Sequence, residues 1–300
     1  MPKTEETTAE KPAAAPPTPK PIPMSPGYEL SGTTALSITR AKLARVIMLA
    51  GPVGSGKTTL LSSIYELFGK GLIRGYSFAG SETLPVMELR CHLSRIASER
   101  AEADTERTKL DEALKLIHLH LADGNGKKTH LLMSDPSGEA FRIARDSTDE
   151  CRKLTILRRA DVVVFCLDGS GLSKRRTRPG IVADARALLR SMLDAGMLDG
   201  SSHAQVLFTK SDQLVNPEGE TEAELTAEIE RDFRANFESR LRRLEFRRTS
   251  VKPLASAAGI EELLASWVER DELAPLQIAP PLRESSRMYD CFPRSPAHGG

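Results

Sequence analysis

Gly51-Pro52-Val53-Gly54-Ser55-Gly56-Lys57-Thr58 follows a short apolar run at residues 44–50 and precedes an apolar helical pattern at Leu60, Leu61, Ile64, Tyr65 and Phe68. The octapeptide meets G-x-x-x-x-G-K-[ST] at every fixed position, in the strand–loop–helix context that gives the pattern its meaning. Glycines let successive backbone N–H groups converge on one concavity with no Cβ in the way. The helix that follows adds the positive end of its dipole. Gly51, Val53, Gly54, Ser55, Gly56, Lys57, Thr58 and Thr59 are therefore the candidate phosphate cradle. In such a cradle Lys57 reaches the β- and γ-phosphates and Thr58 ligates Mg²⁺.

Working outward, apolar runs alternate with helical patterns. Strands are expected at residues 116–121, 129–133, 162–167, 205–208 and 244–249. Helices are expected at 139–157, 181–193 and 260–268, with a long one stepping through Leu225, Ile229, Phe233, Phe237 and Leu241. The all-apolar run at 162–167 suits a parallel strand covered on both faces. Asp123-Gly124-Asn125-Gly126 has hairpin chemistry and adds one antiparallel pair. This alternation predicts an α/β fold, a three-layer α/β/α sandwich around a mostly parallel sheet with one antiparallel edge strand. Residues 84–103 form a further helical stretch with no strand partner and read as an insertion.

Three more motifs follow strand ends, on the edge where open α/β sheets bind ligands. Asp135-Pro136-Ser137-Gly138 follows the strand at 129–133. Asp135 can hold Mg²⁺ through water there, and the Gly138 N–H can touch a γ-phosphate. Alone, this is an ordinary strand-to-loop turn; its order after the phosphate loop gives it weight. Thr209-Lys210-Ser211-Asp212 follows the strand at 205–208, and Thr249-Ser250-Val251-Lys252 follows residues 244–248. A carboxylate such as Asp212 accepts two hydrogen bonds from the N1–H and 2-amino group of guanine, a donor pair adenine lacks. The stem of Lys210 can cover a base face. Backbone N–H groups near Ser250 and Val251 can reach guanine O6.

Together the four motifs resemble the G1, G3, G4 and G5 boxes of Ras-like (TRAFAC-class) P-loop GTPases, over roughly residues 40–270. Phe78-Ala79-Gly80-Ser81-Glu82-Thr83-Leu84, with Ser137-Gly138-Glu139-Ala140-Phe141 and Arg145-Asp146-Ser147-Thr148, is similar to the bacterial double-GTPase family. The resemblance implies a regulatory protein that binds GTP or GDP with Mg²⁺, hydrolyses GTP, and contacts protein partners through its switch regions and the insertion. A second GTPase module is among the partners it implies.

Departures from the class are specific. Thr209 stands where Asn is usual, which should weaken contacts to the base and the phosphate loop. Glu139 stands where Gln usually orients the attacking water. It adds negative charge near the γ-phosphate, yet can act as a base if its pKa is raised. The catalytic candidates are Lys57, Gly138 and Glu139, and hydrolysis is expected to be slow. Val53 occupies a position often held by Gly, where it can obstruct an arginine finger supplied in trans. The switch I threonine that would join Thr58 and Asp135 on the metal is best matched by Thr108, with Thr105 and Thr83 as alternatives.

Composition narrows the remainder. Charge is balanced, 42 basic against 41 acidic residues, which argues against a dedicated nucleic-acid binder. No apolar run approaches the length of a membrane span, and the N-terminus has no signal-peptide core. The cysteines Cys91, Cys151, Cys166 and Cys291 are scattered, so a reducing, cytoplasmic compartment is expected. Eight prolines fall within the first 28 residues and five after Asp271, which marks Pro-rich tails at 1–38 and 273–300 around a body at 39–272. Deleting residues 1–35 should then leave nucleotide affinity unchanged.

Basic residues cluster at Lys174-Arg175-Arg176-Thr177-Arg178, a loop on the ligand edge, and at Arg240, Arg242, Arg243, Arg247 and Arg248. The first can offer a finger in cis or bind a partner, but a solvated face is the commoner explanation for both. His118 and His120 share one strand face and read as structural. Two other functions compete with the switch: a non-hydrolysing nucleotide-binding scaffold, motivated by Glu139, and a P-loop ATPase or small-molecule kinase, for which no acceptor pocket is suggested.

Overall fold

The computed structural model describes residues 29–99, 116–134, 136–214, 221–251 and 257–269. Thr105, Thr108, Asp135 and Lys252 lie outside the described residues, as do most of both Pro-rich tails.

Seven strands form one sheet: β1 (Ala44–Ala50), β2 (Ser77–Gly80), β3 (Leu116–Ala122), β4 (Lys128–Ser134), β5 (Val162–Asp168), β6 (His203–Thr209) and β7 (Arg243–Arg248), in the order β2-β3-β4-β1-β5-β6-β7. β4, β1, β5, β6 and β7 run parallel. β3 runs antiparallel to β4 and to the short β2 outside it. β1 and β5 are buried along almost their whole length, as their continuous apolar sequences require. The β3–β4 turn is locked by Asp123, whose Oδ1 accepts from the N–H groups of Asn125 and Lys127, both at 2.9 Å.

The pleat divides each strand between two cores. Val46, Met48 and Ala50 face one side with Phe165, Leu189 and Phe233, whereas Ile47 and Leu49 face the other with Leu60, Ile64 and Trp267. The first side is covered by α1 (Gly32–Ala41), α4 (Gly138–Asp146), α5 (Thr148–Lys153), the short α6 (Gly169–Leu172), α7 (Arg178–Asp194) and α8 (Glu222–Phe237). The second is covered by α2 (Lys57–Phe68), α3 (Leu84–Glu99) and α9 (Ile260–Val268). Burying a Leu or Ile such as Leu61 or Ile64 contributes about 1.5–3 kcal/mol each, which anchors α2 behind the phosphate loop. The fold is thus the α/β/α sandwich of P-loop NTPases.

Several local boundaries differ from the sequence expectation. The body begins before residue 39: Leu30 is buried and bridges Leu116, and Ser31 caps α1. The helix expected at 139–157 breaks at Ser147, whose extended backbone ends α4 and whose hydroxyl caps α5 through the Glu150 N–H. Residues 155–159 continue as a 3-10 turn. α7 starts at Arg178, because Pro179 fits the first turn of a helix. Leu241 lies beyond the end of α8.

His118 and His120 gain a third neighbour, His130, from β4. The His120 and His130 rings stack at 4.1 Å, and His118 Nε2 lies 2.8 Å from His130 Nδ1. The Glu82 N–H donates to His118 Nδ1 at 2.9 Å. That assigns the tautomers: His118 carries its proton on Nε2 and donates to His130 Nδ1. Burial, and then the neighbouring histidines, push His118 down to about 3. Burial and His120 push His130 down to about 4. The cluster is neutral and structural.

Candidate functional site

The C-terminal ends of the five parallel strands lie on one edge, so the motifs that follow them meet there. β1 delivers the phosphate loop. Gly56 ends it at φ 83°, a left-handed conformation that suits glycine, and hands the chain to α2. Side chains of Ser31, Ser137 and Thr221 cap α1, α4 and α8, but no side chain caps α2. The positive end of the α2 dipole lies at the loop and suits an anion. Lys57 is 7% exposed, and its ammonium donates to the carbonyls of Gly51 at 2.9 Å and Pro52 at 3.1 Å. A cation so buried and surrounded by the loop's own backbone is built to meet phosphate. Thr58 and Thr59 follow in the first turn, half-buried.

β6 delivers the base turn. Thr209 is buried, with its hydroxyl 2.9 Å from the Ser55 carbonyl and 3.0 Å from the Leu167 carbonyl. The tie expected to weaken with Thr in place of Asn is therefore present: a hydroxyl is long enough because β6 runs directly beneath the loop. Lys210 stretches back to the Gly54 carbonyl at 3.0 Å. Asp212 is exposed, and its Oδ1 accepts from the Ser250 hydroxyl at 2.8 Å. Ser250 is itself fixed by a backbone pair with Ala258. The Ser211 N–H donates to the Thr249 carbonyl, so the turns carrying Asp212 and Val251 form one unit.

Gly138 opens α4 against the phosphate loop. A Cβ there would fall 2.2 Å from Val53 N and 2.7 Å from the Pro52 carbonyl carbon, so only glycine permits this approach. Val53 itself is 63% exposed beside it. Beside this contact is a cavity of about 310 Å³, lined by Pro52, Val53, Gly138 and Glu139 together with Phe141, Phe165, Ile181 and Leu188. Lys57, Thr209 and Asp212 lie outside its lining.

Glu139 does not have the raised pKa that a general base would need. Its carboxylate pairs with Arg142 in an exposed i,i+3 bridge, and that hydrogen bond holds it below the usual carboxylate range. Thr83 is likewise engaged elsewhere. It is fully buried, and its Oγ1 accepts from the His118 N–H at 3.0 Å, tying the segment before α3 to β3. Among the described residues Thr58 is the nominated metal ligand; Asp135, Thr108 and Thr105 fall outside them.

Asp168 was missed in the sequence. It lies at the end of β5 with Oδ1 3.0 Å from Lys210 Nζ. A carboxylate closing an apolar strand on the ligand edge was the signal that could have found it.

A family model described as Double-GTPase 2 matches residues 45–268 of the chain. The solved structures similar to this fold include a chain of the signal recognition particle receptor SRb-GTP/SRX complex from Chaetomium thermophilum, at TM-score 0.43 and 16% identity, covering 75% of this chain and 96% of that one. No curated protein matches.

Proposed function

The chain belongs to the Double-GTPase 2 family and is a GTP-binding protein; from that premise we propose that it is a molecular switch, which hydrolyses GTP slowly to GDP and changes its contacts with partner proteins as it does so. The observation that carries this reading is the joining of the two halves of a nucleotide site, with Thr209 fastened to the Ser55 carbonyl and Asp212 held by Ser250. Asp212 selects guanine; the uncapped start of α2, with Lys57, takes the phosphates. Mg²⁺, when bound, neutralises charge between the β- and γ-phosphates, and Thr58 with Asp135 and Thr108 would hold it.

The switching part is α4. Gly138 abuts the loop at Val53, so a γ-phosphate placed at the loop must be read by the start of α4, and the cavity beside it gives the helix room to shift. Partners would then meet α4 and α3; a second GTPase module is the partner class that the family resemblance suggests.

A second reading, a scaffold that binds GTP without hydrolysing it, is favoured by one observation. Glu139 is held ionised by Arg142, and no other group among the nominated residues replaces the usual glutamine. Nucleotide titrations of wild type and Asp212→Asn test the binding reading: GTP should be preferred over ATP, and the preference lost in the variant. Equal affinity of the wild type for ATP would overturn it. Phosphate release over multiple turnovers, lost in Lys57→Ala, separates switch from scaffold.

A further inference from the structure

Asp168 stands outside the four motifs yet touches two of them through one side chain. Its Oδ1 lies 3.0 Å from Lys210 Nζ, and the same ammonium donates to the Gly54 carbonyl at 3.0 Å. Lys210 thus bridges the base turn and the phosphate loop, with Asp168 as the third corner. Its backbone sits at φ 48°. A residue with a Cβ keeps that left-handed conformation only where its surroundings over-determine it.

The end of β5 is shaped for this contact. Asp168 and Thr209 are register partners in the parallel ladder. At Gly169, a Cβ would fall 2.5 Å from the Thr209 carbonyl oxygen and 2.6 Å from that of Lys210, so glycine lets the two strand ends close up. Asp168 also caps α6, accepting from the Ser170 N–H at 3.3 Å. The same oxygen, Oδ1, accepts from the Ser170 N–H and from the Lys210 ammonium, so the helix cap fixes the atom that holds the lysine. The two side chains are 34% and 27% exposed, which leaves the pair less screened than one standing in open solvent.

We propose that Asp168 is a positioning residue for the nucleotide base. By holding the Lys210 ammonium against the phosphate loop, it lays the aliphatic stem of Lys210 out as a fixed shelf on which the guanine ring rests. A free lysine stem has high rotamer freedom, and ordering it during binding would weaken affinity. A shelf ordered beforehand removes that cost. The inference rests on the GTP reading.

The test is a titration of the full chain with GDP, GTP and inorganic tripolyphosphate, in wild type, Asp168→Asn, Lys210→Met and the double variant. Asn keeps the helix cap while removing the charge. Asp168→Asn should bind GDP and GTP about 2–5-fold more weakly, the scale of one partly exposed ion pair. It should bind tripolyphosphate as the wild type does, and the nucleotide-free melting temperature should stay within about 2 °C. Because Asp168 acts through Lys210, the double variant should bind no more weakly than Lys210→Met. Unchanged GDP affinity, a parallel loss of tripolyphosphate, or additive losses in the double variant would each overturn the proposal. A wild type that binds tripolyphosphate but no guanine nucleotide would instead remove the GTP reading, and this inference with it.

Discussion

The Thr209 hydroxyl, at the end of β6, lies 2.9 Å from the Ser55 carbonyl inside the phosphate loop. One hydrogen bond thereby joins the element that reads a base to the element that holds phosphates. Thr209→Val keeps the shape and removes the single hydroxyl proton that the Ser55 and Leu167 carbonyls share. Loss of about 1–2 kcal/mol, or about 5–30-fold in GDP affinity, is expected. Thr209→Ser should bind within about 2-fold of wild type, because it keeps the hydroxyl. Calorimetric titration distinguishes these outcomes.

Gly138 admits no side chain. In Gly138→Ala the new methyl would meet the Val53 nitrogen, and α4 would have to leave the loop. The expected cost is about 1–3 kcal/mol of stability, as for overpacking elsewhere, together with loss of GTP turnover. Adding Val53→Gly should not rescue the variant, since the obstructing atom is backbone. Thermal denaturation and phosphate release measure the two effects.

Glu139 offers a test of the chemistry. Its bridge to Arg142 is exposed, so Glu139→Gln should change stability by less than about 0.5 kcal/mol. If the carboxylate merely adds negative charge beside the γ-phosphate, turnover should rise in the variant while GTP affinity stays constant or improves. A wild-type carboxylate held below its usual range also predicts no loss of activity from this group between pH 8 and pH 6. A turnover that collapses in Glu139→Gln would restore Glu139 as a base.

The histidine stack predicts acid sensitivity. His118 titrates near 6.5 when unfolded and is pushed down to about 3 when folded, so the unfolded chain binds the extra proton. Stability is therefore fully present above about pH 6.5 and is lost as pH falls toward the folded value. Between pH 7.5 and pH 5.5 the loss from His118 alone is about 1 kcal/mol. His118→Gln should flatten this part of the melting-temperature profile. An unchanged slope would show that His118 takes up its proton in the folded chain as readily as in the unfolded one.

The N-terminal boundary is also testable. Deleting residues 1–35 removes Leu30, which is buried against Leu116, and the Ser31 cap of α1. That deletion should lower stability by about 2–4 kcal/mol, the sum of a buried leucine and a cap. Thermal denaturation of the deleted chain decides the point. Nucleotide affinity of the deleted chain should still match the wild type, because no nominated nucleotide contact lies in residues 1–35.

Why composition misplaced that boundary is simple. Residues 29–38 carry few large apolar groups, and Leu30 has nothing to pack on until β3 is folded beside it. Proline density marks where a chain avoids regular structure, and it stops at Pro26. It says nothing about a short helix held by a neighbour.

Local chemistry was sufficient for the phosphate loop, the parallel strands and the base turn. Gly56, Lys57 and Asp212 act through backbone conformation, charge and donor pattern that neighbouring residues largely dictate. The strand-end placement of each motif followed from hydrophobic period alone. Only the tertiary structure could decide the rest, because it depends on distance between segments far apart in sequence. It brought the Thr209 hydroxyl to the Ser55 carbonyl, so the base turn keeps a tie to the phosphate loop. It paired Glu139 with Arg142, a bond that holds the carboxylate below its usual range. It buried Thr83 under β3 and set Asp168 on Lys210, a carboxylate whose meaning lies in the lysine opposite. Hydrogen bonds and ion pairs are specified by ångströms across the fold, and sequence spacing carries no such measure.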